Sequence, residues 1–422
     1  TRRSSDLLNL EKAIEGYGLL RVDTNVVMDV AAGGNKVWQG GAWDDWTNDI
    51  GGPGRLTKSG AGWLRLSGDN SFAGATVTSG ILEFDGDNSL TGDVRVEGGT
   101  LVVNGSFTGS PLDVLGGVAV INGSFGGAPT FVGANGTIGG SGVLGDTRVE
   151  GTIAPGNSIG TLTIDGNYVQ EANARFIAEL LPPDQADLLR VTGTATLNGG
   201  TLVASNLSGN DYMLGQTYQI LSAEGGITGG FAGIDGSAIS PFLSLSLLQA
   251  ANTVSIDVAR GASLASAGTT ANQRAAAAAV DVLADSNTLV LTATQLSLAE
   301  APAAFDSLSG EVHASARQVL LEGSRLVRDA ALDRAAGGGA FGRQAEGATG
   351  AWVQVQHQGG DFGGDGNAAE VRYNSDAVLV GVDHVFGGWR VGVFGGAGDS
   401  DFNVGERGSR GESSKRHAGI YV

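Results

Sequence analysis

The sequence predicts a mostly β chain in three zones: a stacked β-solenoid, a helical linker and the opening strands of an antiparallel membrane barrel. From about Asp23 to Val258 the chain is rich in Gly, Thr, Asn and β-branched residues, and short alternating runs recur at near-constant spacing. From about Ala267 to Ala336 glycine nearly vanishes, and Ala, Leu, Arg and Glu replace it. From about Gly347 to Val422 glycine returns with aromatics and with apolar residues at every second position.

The first zone repeats. Gly68-Asp69-Asn70 recurs as Gly86-Asp87-Asn88, and Asn104-Gly105-Ser106-Phe107 as Asn122-Gly123-Ser124-Phe125, 18 residues later in both cases. Runs of strand length precede these turns: Trp63-Leu64-Arg65-Leu66, Ile81-Leu82-Glu83-Phe84, Thr100-Leu101-Val102-Val103 and Val118-Ala119-Val120-Ile121. Glycine and Asn suit the corners because they accept positive φ. A period near 18–20 residues with short strands and no helix specifies stacked coils, since one coil cannot bury its inward face alone. About ten coils fit between Asp23 and Val258, a rod on the order of 50 Å at the inter-strand spacing. A β-sandwich is the competing fold; turns at fixed spacing count against it.

The second zone reads as helix from Asn272 through Ala299 and, after Pro302, as one helix from Leu308 to Arg334. Its apolar residues Val312, Val319, Leu320, Leu326, Val327 and Leu332 mix with charges of both signs. Such a helix suits a polar surrounding as well as ordinary amphipathic packing. The third zone alternates with period two at 351–356, 377–383, 389–396 and 418–422, with Trp352, Tyr373, Phe386, Trp389, Phe394 and Tyr421 within or near the ends of these runs. Alternating strands of about ten residues, with small residues on one face and aromatics near the ends, are of the outer-membrane type. About four are visible, and a barrel needs at least eight to close. The expectation is therefore an incomplete barrel.

Composition excludes several classes. The 422 residues contain 72 glycines and no cysteine, which removes disulfides, thiolate metal sites and thiol nucleophiles. Lys plus Arg number 25 against 44 Asp plus Glu, a net charge of −19 that argues against binding a phosphate backbone. A hydrophobic fraction of 41% is too high for a disordered acidic chain. No apolar run is long enough for a membrane helix. The chain has neither an initiator Met nor a signal peptide, which predicts a cytosolic protein or a processed or partial form of an exported one.

Four stretches resemble bacterial autotransporters of type V secretion. Residues 54–74, from Gly54-Arg55-Leu56 to Phe72-Ala73-Gly74, look like the passenger-associated transport repeat, placed at 54–86 and carried by Gly60, Gly62, Leu64, Leu66, Gly68, Asn70, Gly74 and Gly80. Residues 151–166 look like the late β-helix segment of such passengers, an autochaperone-like end placed at 151–258. Leu308-Ser309-Gly310-Glu311 looks like the junction before the pore-threading helix, and Gly350-Ala351-Trp352 and Gly381-Val382-Asp383 look like first barrel strands. The resemblance implies a right-handed parallel β-helix passenger at 23–260, an α-helical linker at 261–340 and an incomplete antiparallel transmembrane β-barrel at 341–422. It implies a barrel in the outer membrane of a Gram-negative bacterium with the passenger at the cell surface. The implied partners are outer-membrane lipid, the barrel assembly machinery, periplasmic chaperones and a host-surface or protein substrate of the passenger, with no cofactor and no nucleic acid.

The tail at 1–22, with Leu8-Asn9-Leu10-Glu11 through Leu20, and Lys36-Val37-Trp38-Gln39 after it, resembles the segment after the protease domain of subtilisin-like autotransporters. No His is followed by Gly and no Gly-Thr-Ser occurs, so the subtilisin-type motifs are not within these residues. The resemblance implies a stalk and translocation unit that exports and displays the β-helix passenger across the outer membrane through a C-terminal β-barrel, with a C-terminal fragment of a secreted subtilisin-like serine endopeptidase and a non-catalytic adhesin as the alternatives. No Asn lies between Ala301 and Gly339, so self-cleavage by asparagine chemistry in the linker helix is unsupported.

Other motifs read as structure. Gly156-Asn157-Ser158-Ile159-Gly160 matches a nucleophile elbow, but a strand-like run follows it where a helix is required. Gly140-Ser141-Gly142-Val143-Leu144-Gly145 matches a dinucleotide loop, also without its helix. His313, His357, His384 and His417 have no metal-ligand spacing, and Asp85-Gly86-Asp87 lacks the rest of a calcium loop. Trp38, Trp43 and Trp46 could form a glycan platform, but packing at the first coils suits them better.

Overall fold

The computed structural model describes residues 15–32, 36–38, 40–209, 212–236, 240–337 and 344–422. They divide into two compact units, Thr1–Gly261 and Ala262–Val422. Most of the tail reading at 1–22 lies outside the described residues, as does the linker–barrel boundary.

The first unit is a parallel β-helix. Trp63, Ile81, Thr100 and Val118 stand in register on successive parallel rungs, so the recurrence in the sequence is the coil length. A second face stacks 75–77, 94–96, 112–114 and 130–132, and a third stacks 87–88, 106–108 and 124–126. Strands Leu112–Ile121 and Thr130–Gly140 run through a corner and belong to two faces. Inward positions carry Leu64, Leu66, Leu82, Phe84, Leu101, Val103 and Ile121, all fully buried. Each such side chain contributes about 1.5–3 kcal/mol, and only a neighbouring coil supplies the burial. Phe107 meets Phe84 edge-to-face at 4.9 Å and stacks on Phe125 at 4.5 Å between centroids.

The repeated tripeptides have a physical role. Asn70 turns inward, where its Nδ2 donates to Gly68 O at 2.7 Å and to Asn88 Oδ1 at 2.8 Å. Asn88 donates to Gly86 O at 2.7 Å. Asp69 Oδ1 accepts the amide of Asp87 from the next coil at 2.8 Å. Asn122 likewise donates to Asn104 Oδ1 at 2.9 Å. Equivalent side chains thus bond rung to rung, which fixes the register.

The uniform period does not persist to Val258. Tyr168 pairs with Ala195, and Ala195 with Ile227, so late coils carry longer excursions than the early ones. The unit then changes mode: Thr217–Ala223, Thr253–Arg260 and Leu243–Gln249 are antiparallel, and their hairpin ends the third face.

The second unit begins with short helices α1 (Ala271–Asp281), α2 (Thr288–Ala293) and α3 (Ala301–Leu308), followed by α4 (Glu311–Ala335). Thr270 and Gln273 cap α1 reciprocally. The continuous helix expected from Leu308 to Arg334 is broken at its start: Gly310 sits at φ 65°, ends α3 and begins α4. Four antiparallel strands follow: β1 (Thr349–Phe362), β2 (Val371–Phe386), β3 (Trp389–Val404) and β4 (Ser409–Tyr421). One face of this sheet is covered by α4, through Val319 with Tyr373 and Phe402, and Ala330 with Trp352, Leu379 and Tyr421.

Candidate functional site

The candidate surfaces are the transport-repeat coils and the seam between α4 and the sheet. In the coils, Leu64 and Leu66 fill the interior. Gly60 and Gly80 turn corners at φ 75° and 66°, stacked above one another. Gly62 N donates to Met28 O at 2.7 Å, a Cβ on Gly68 would meet Asn48 backbone, and one on Gly74 would lie 2.7 Å from Asp93 O. Lys58 was missed in the sequence because a lysine within a strand reads as an outward residue. It is fully buried, and Nζ donates to the carbonyls of Ser59, Gly60 and Ser79 at 3.1, 2.9 and 2.9 Å. Desolvation pushes its pKa down to about 8.

The seam follows a small-residue stripe. The buried positions of α4 are Glu311, Ser315, Val319, Gly323, Ala330 and Arg334. Leu320, Leu321 and Leu332 are exposed, so the leucines are not its packed face. Small side chains let the helix approach a sheet whose inward face is itself crowded.

Polar clamps hold both ends of α4. At its start Arg407 donates from Nε to Glu311 Oε2 and from NH1 to Asp306 Oδ2, both at 3.0 Å, and from NH2 to Asn367 O at 3.4 Å. Glu311 Oε1 also accepts the amide of Ala369. At its end Arg334 Nε meets Asp383 Oδ2 at 2.7 Å, with side chains 6% and 0% exposed. Tyr421 Oη donates to the same carboxylate at 2.7 Å and accepts from Trp352 Nε1 at 2.7 Å. Arg390 donates to Arg334 O at 2.9 Å. Midway, Lys415 donates to Ser400 Oγ at 2.8 Å, close beside Gly323.

The residues expected at the junction have different surroundings. Glu311, Trp352 and Asp383 belong to these clamps, Gly310 makes the break, and Ser309 Oγ donates to Asp306 O at 2.8 Å. Gly381 sits beneath Trp352, where a Cβ would lie 2.6 Å from the indole. Leu308 is 42% exposed and makes no clamp contact. Arg407 and Tyr421 were not singled out for these roles, because their partners are remote in sequence.

The other face of the sheet carries an apolar band. Val353, Val380 and Gly395 align across the strands, as do Ala351, Val382, Val393 and Ile420. These valines and Ile420 are about half or more exposed. Phe386 and Trp389, also exposed, close one end of the band. From Phe386 to Val378 the strand rises about 27 Å, or about 21 Å when tilted by ~40°, close to the apolar height of an outer-membrane barrel.

Comparison with known proteins agrees with this geometry. The Autotransporter beta-domain family profile matches residues 351–422, and the Passenger-associated-transport-repeat profile matches residues 56–84 and 79–103. The chain carries an autotransporter β-domain and passenger-associated transport repeats. Two relatives, both described as Extracellular serine protease from Serratia marcescens, are 27% and 26% identical over 90% of this chain. The chain spans 38% of the length of each. The autotransporter β-domain places its strands in the outer membrane and the passenger outside the cell. No helix among the described residues is long and apolar enough to cross a membrane.

The tempting enzymatic motifs are structural. Ser158 is exposed on an irregular turn with φ 63°, and strand Thr161–Ile164 follows it. Gly160 N donates to the buried Asp187 at 2.9 Å, which ties that turn down. Gly140–Gly145 runs from the end of strand Thr130–Gly140 through strand Val143–Leu144, with no helix. No cluster of metal-ligating residues occurs among the described residues. Trp46 is buried against Tyr17 at 5.1 Å, and Trp43 lies on a rung beside Trp63; the side chain of Trp38 lies outside the described residues.

Proposed function

We propose that this autotransporter chain is the stalk and translocation unit of a secreted serine endopeptidase of the subtilisin type, with the catalytic domain supplied from outside these 422 residues. The observation that carries this is the alignment to two extracellular serine proteases over 90% of the chain, solenoid included, rather than over the β-domain alone. The strands anchor the unit in the outer membrane, and α4 threads the lumen. Assembly of the strands uses the outer-membrane barrel machinery and periplasmic chaperones. The passenger leaves C-terminus first, and its last coils, roughly Gly151 to Val258, template the earlier ones. Each coil gains most of its burial from a folded neighbour, so folding propagates in one direction and export needs no nucleotide.

Casein hydrolysis by medium from cells expressing the full gene product tests the reading. Hydrolysis that a serine-directed inhibitor abolishes is expected. Surface-exposed passenger without casein cleavage would remove the protease reading and leave a non-catalytic adhesin.

A further inference from the structure

We infer that the outward face of the sheet, just beyond its apolar band, binds the headgroup of a phosphorylated glycolipid of the outer leaflet. The register stacks outward residues of the four strands into transverse rows. Above Val355, Val378 and Ala397, whose row ends in Arg416 on β4, comes a row with His357, Asp376 and Asp399, then one with Asn374, Asp401 and Glu412, then one with Asp361, Arg372, Asn403 and Arg410. These rows lie at the sheet end where α4 begins, since Ala369 and Arg407 beside them hold Glu311. The passenger precedes α4 in the chain, so this end faces outward from the cell.

Height decides the ligand class. Each row is two residues beyond the last, about 5 Å along the membrane normal for a strand tilted by ~40°. The arginine row thus stands about 15 Å above the last apolar row. A phospholipid headgroup layer is only roughly 5–8 Å thick per leaflet. It covers the first row and leaves the next two above it. A taller, sugar-bearing headgroup reaches all three.

The chemistry of the upper rows fits such a group. They line a depression of about 550 Å³, floored by Gly359, which has no side chain to fill it. Arg372 and Arg410 flank Asn403 from β2 and β4, about 10 Å apart by strand spacing, and can bracket two phosphates. The Arg372 side chain is 76% exposed, but its Nε donates to Glu370 Oε1 at 2.6 Å and Asp361 stands opposite it, so a phosphate must draw the guanidinium from these carboxylates. In the row below, Asp401 and Glu412 face each other directly, a like-charge pair that a divalent cation relieves. Among the described residues no group of three or more such side chains could hold a cation by itself, so a cation at this pair would take its remaining ligands from the phosphates of the headgroup. Asn374 and Asn403 remain to meet sugar hydroxyls.

This rests on the outer-membrane placement of the strands. The intact protein, extracted from the outer membrane in detergent, is titrated with fluorescent lipid A and with phosphatidylglycerol, each with magnesium and with chelator. The expected result is a roughly tenfold preference for lipid A that falls with chelator and is lost in R372A/R410A. R372K/R410K, which keeps charge without the guanidinium fork, retains part of it, and the heat-modifiable gel band of every variant reports folding. Equal affinity for both lipids, or a preference unchanged in folded R372A/R410A, overturns the proposal and leaves the membrane placement standing. Absence of the protein from the outer-membrane fraction overturns both.

Discussion

Lys58 places an ammonium inside a coil with all three donors on carbonyls. Burial holds its pKa near 8, against ~10.4 when unfolded. The sign follows: between these values the unfolded chain binds more protons, so stability rises with pH across that window. Below pH 8 the cost of the buried charge is fully present, about 3 kcal/mol. Relative to K58M, the wild-type passenger should therefore gain about 2 kcal/mol between pH 7.5 and 9.5, as read by urea unfolding of the full chain. A constant difference would mean that the three carbonyls keep the lysine charged at high pH. At this scale legibility was uneven. The Gly-Asp-Asn recurrence exposed the coil length because identical side chains bond rung to rung. Lys58 stayed hidden because only the stack supplies the carbonyls that admit a lysine.

Helix α4 is an element whose ends are pinned and whose middle is small. The sequence showed a charged helix before the strands, but its continuous reading failed at Gly310, where a single left-handed residue starts a new helix at the clamp. The leucines also misled, because the packed stripe is Ser315, Val319, Gly323 and Ala330, and small residues carry little hydrophobic signal. Strand alternation was legible throughout, since one face meets α4 and the other presents the apolar band. The clamps were not, since each pairs residues from separate elements. Removing Arg407 leaves Glu311 and Asp306 as largely buried carboxylates without their cation, a loss of about 3–5 kcal/mol. R407A should lower the temperature at which the folded gel band of the intact protein disappears, whereas R416A, on the outward face, should not. An equal fall in both would assign the effect to net charge rather than to the clamp.

For the whole molecule, the early coils are near-equivalent and the late ones are not. From Trp63 to Val118 each coil repeats its neighbour's register, so one coil is replaceable by the next. Beyond Tyr168 the coils lengthen, and the antiparallel hairpin at Leu243–Arg260 closes the third face without needing a further coil below it. A free-standing end of this kind is where a solenoid can start to fold, because its last face is already paired. Deleting residues 104–121 removes one register unit and lets Asn122 take the place of Asn104, so surface display should stay within about twofold of wild type. Deleting residues 151–258 removes the lengthened coils and the closing hairpin together, and display should fall by on the order of tenfold or more. Antibody labelling of intact cells against an epitope placed ahead of Asp23 measures both. Display retained in the second deletion would show that any coil can nucleate, and the direction of export would then need a source outside the passenger.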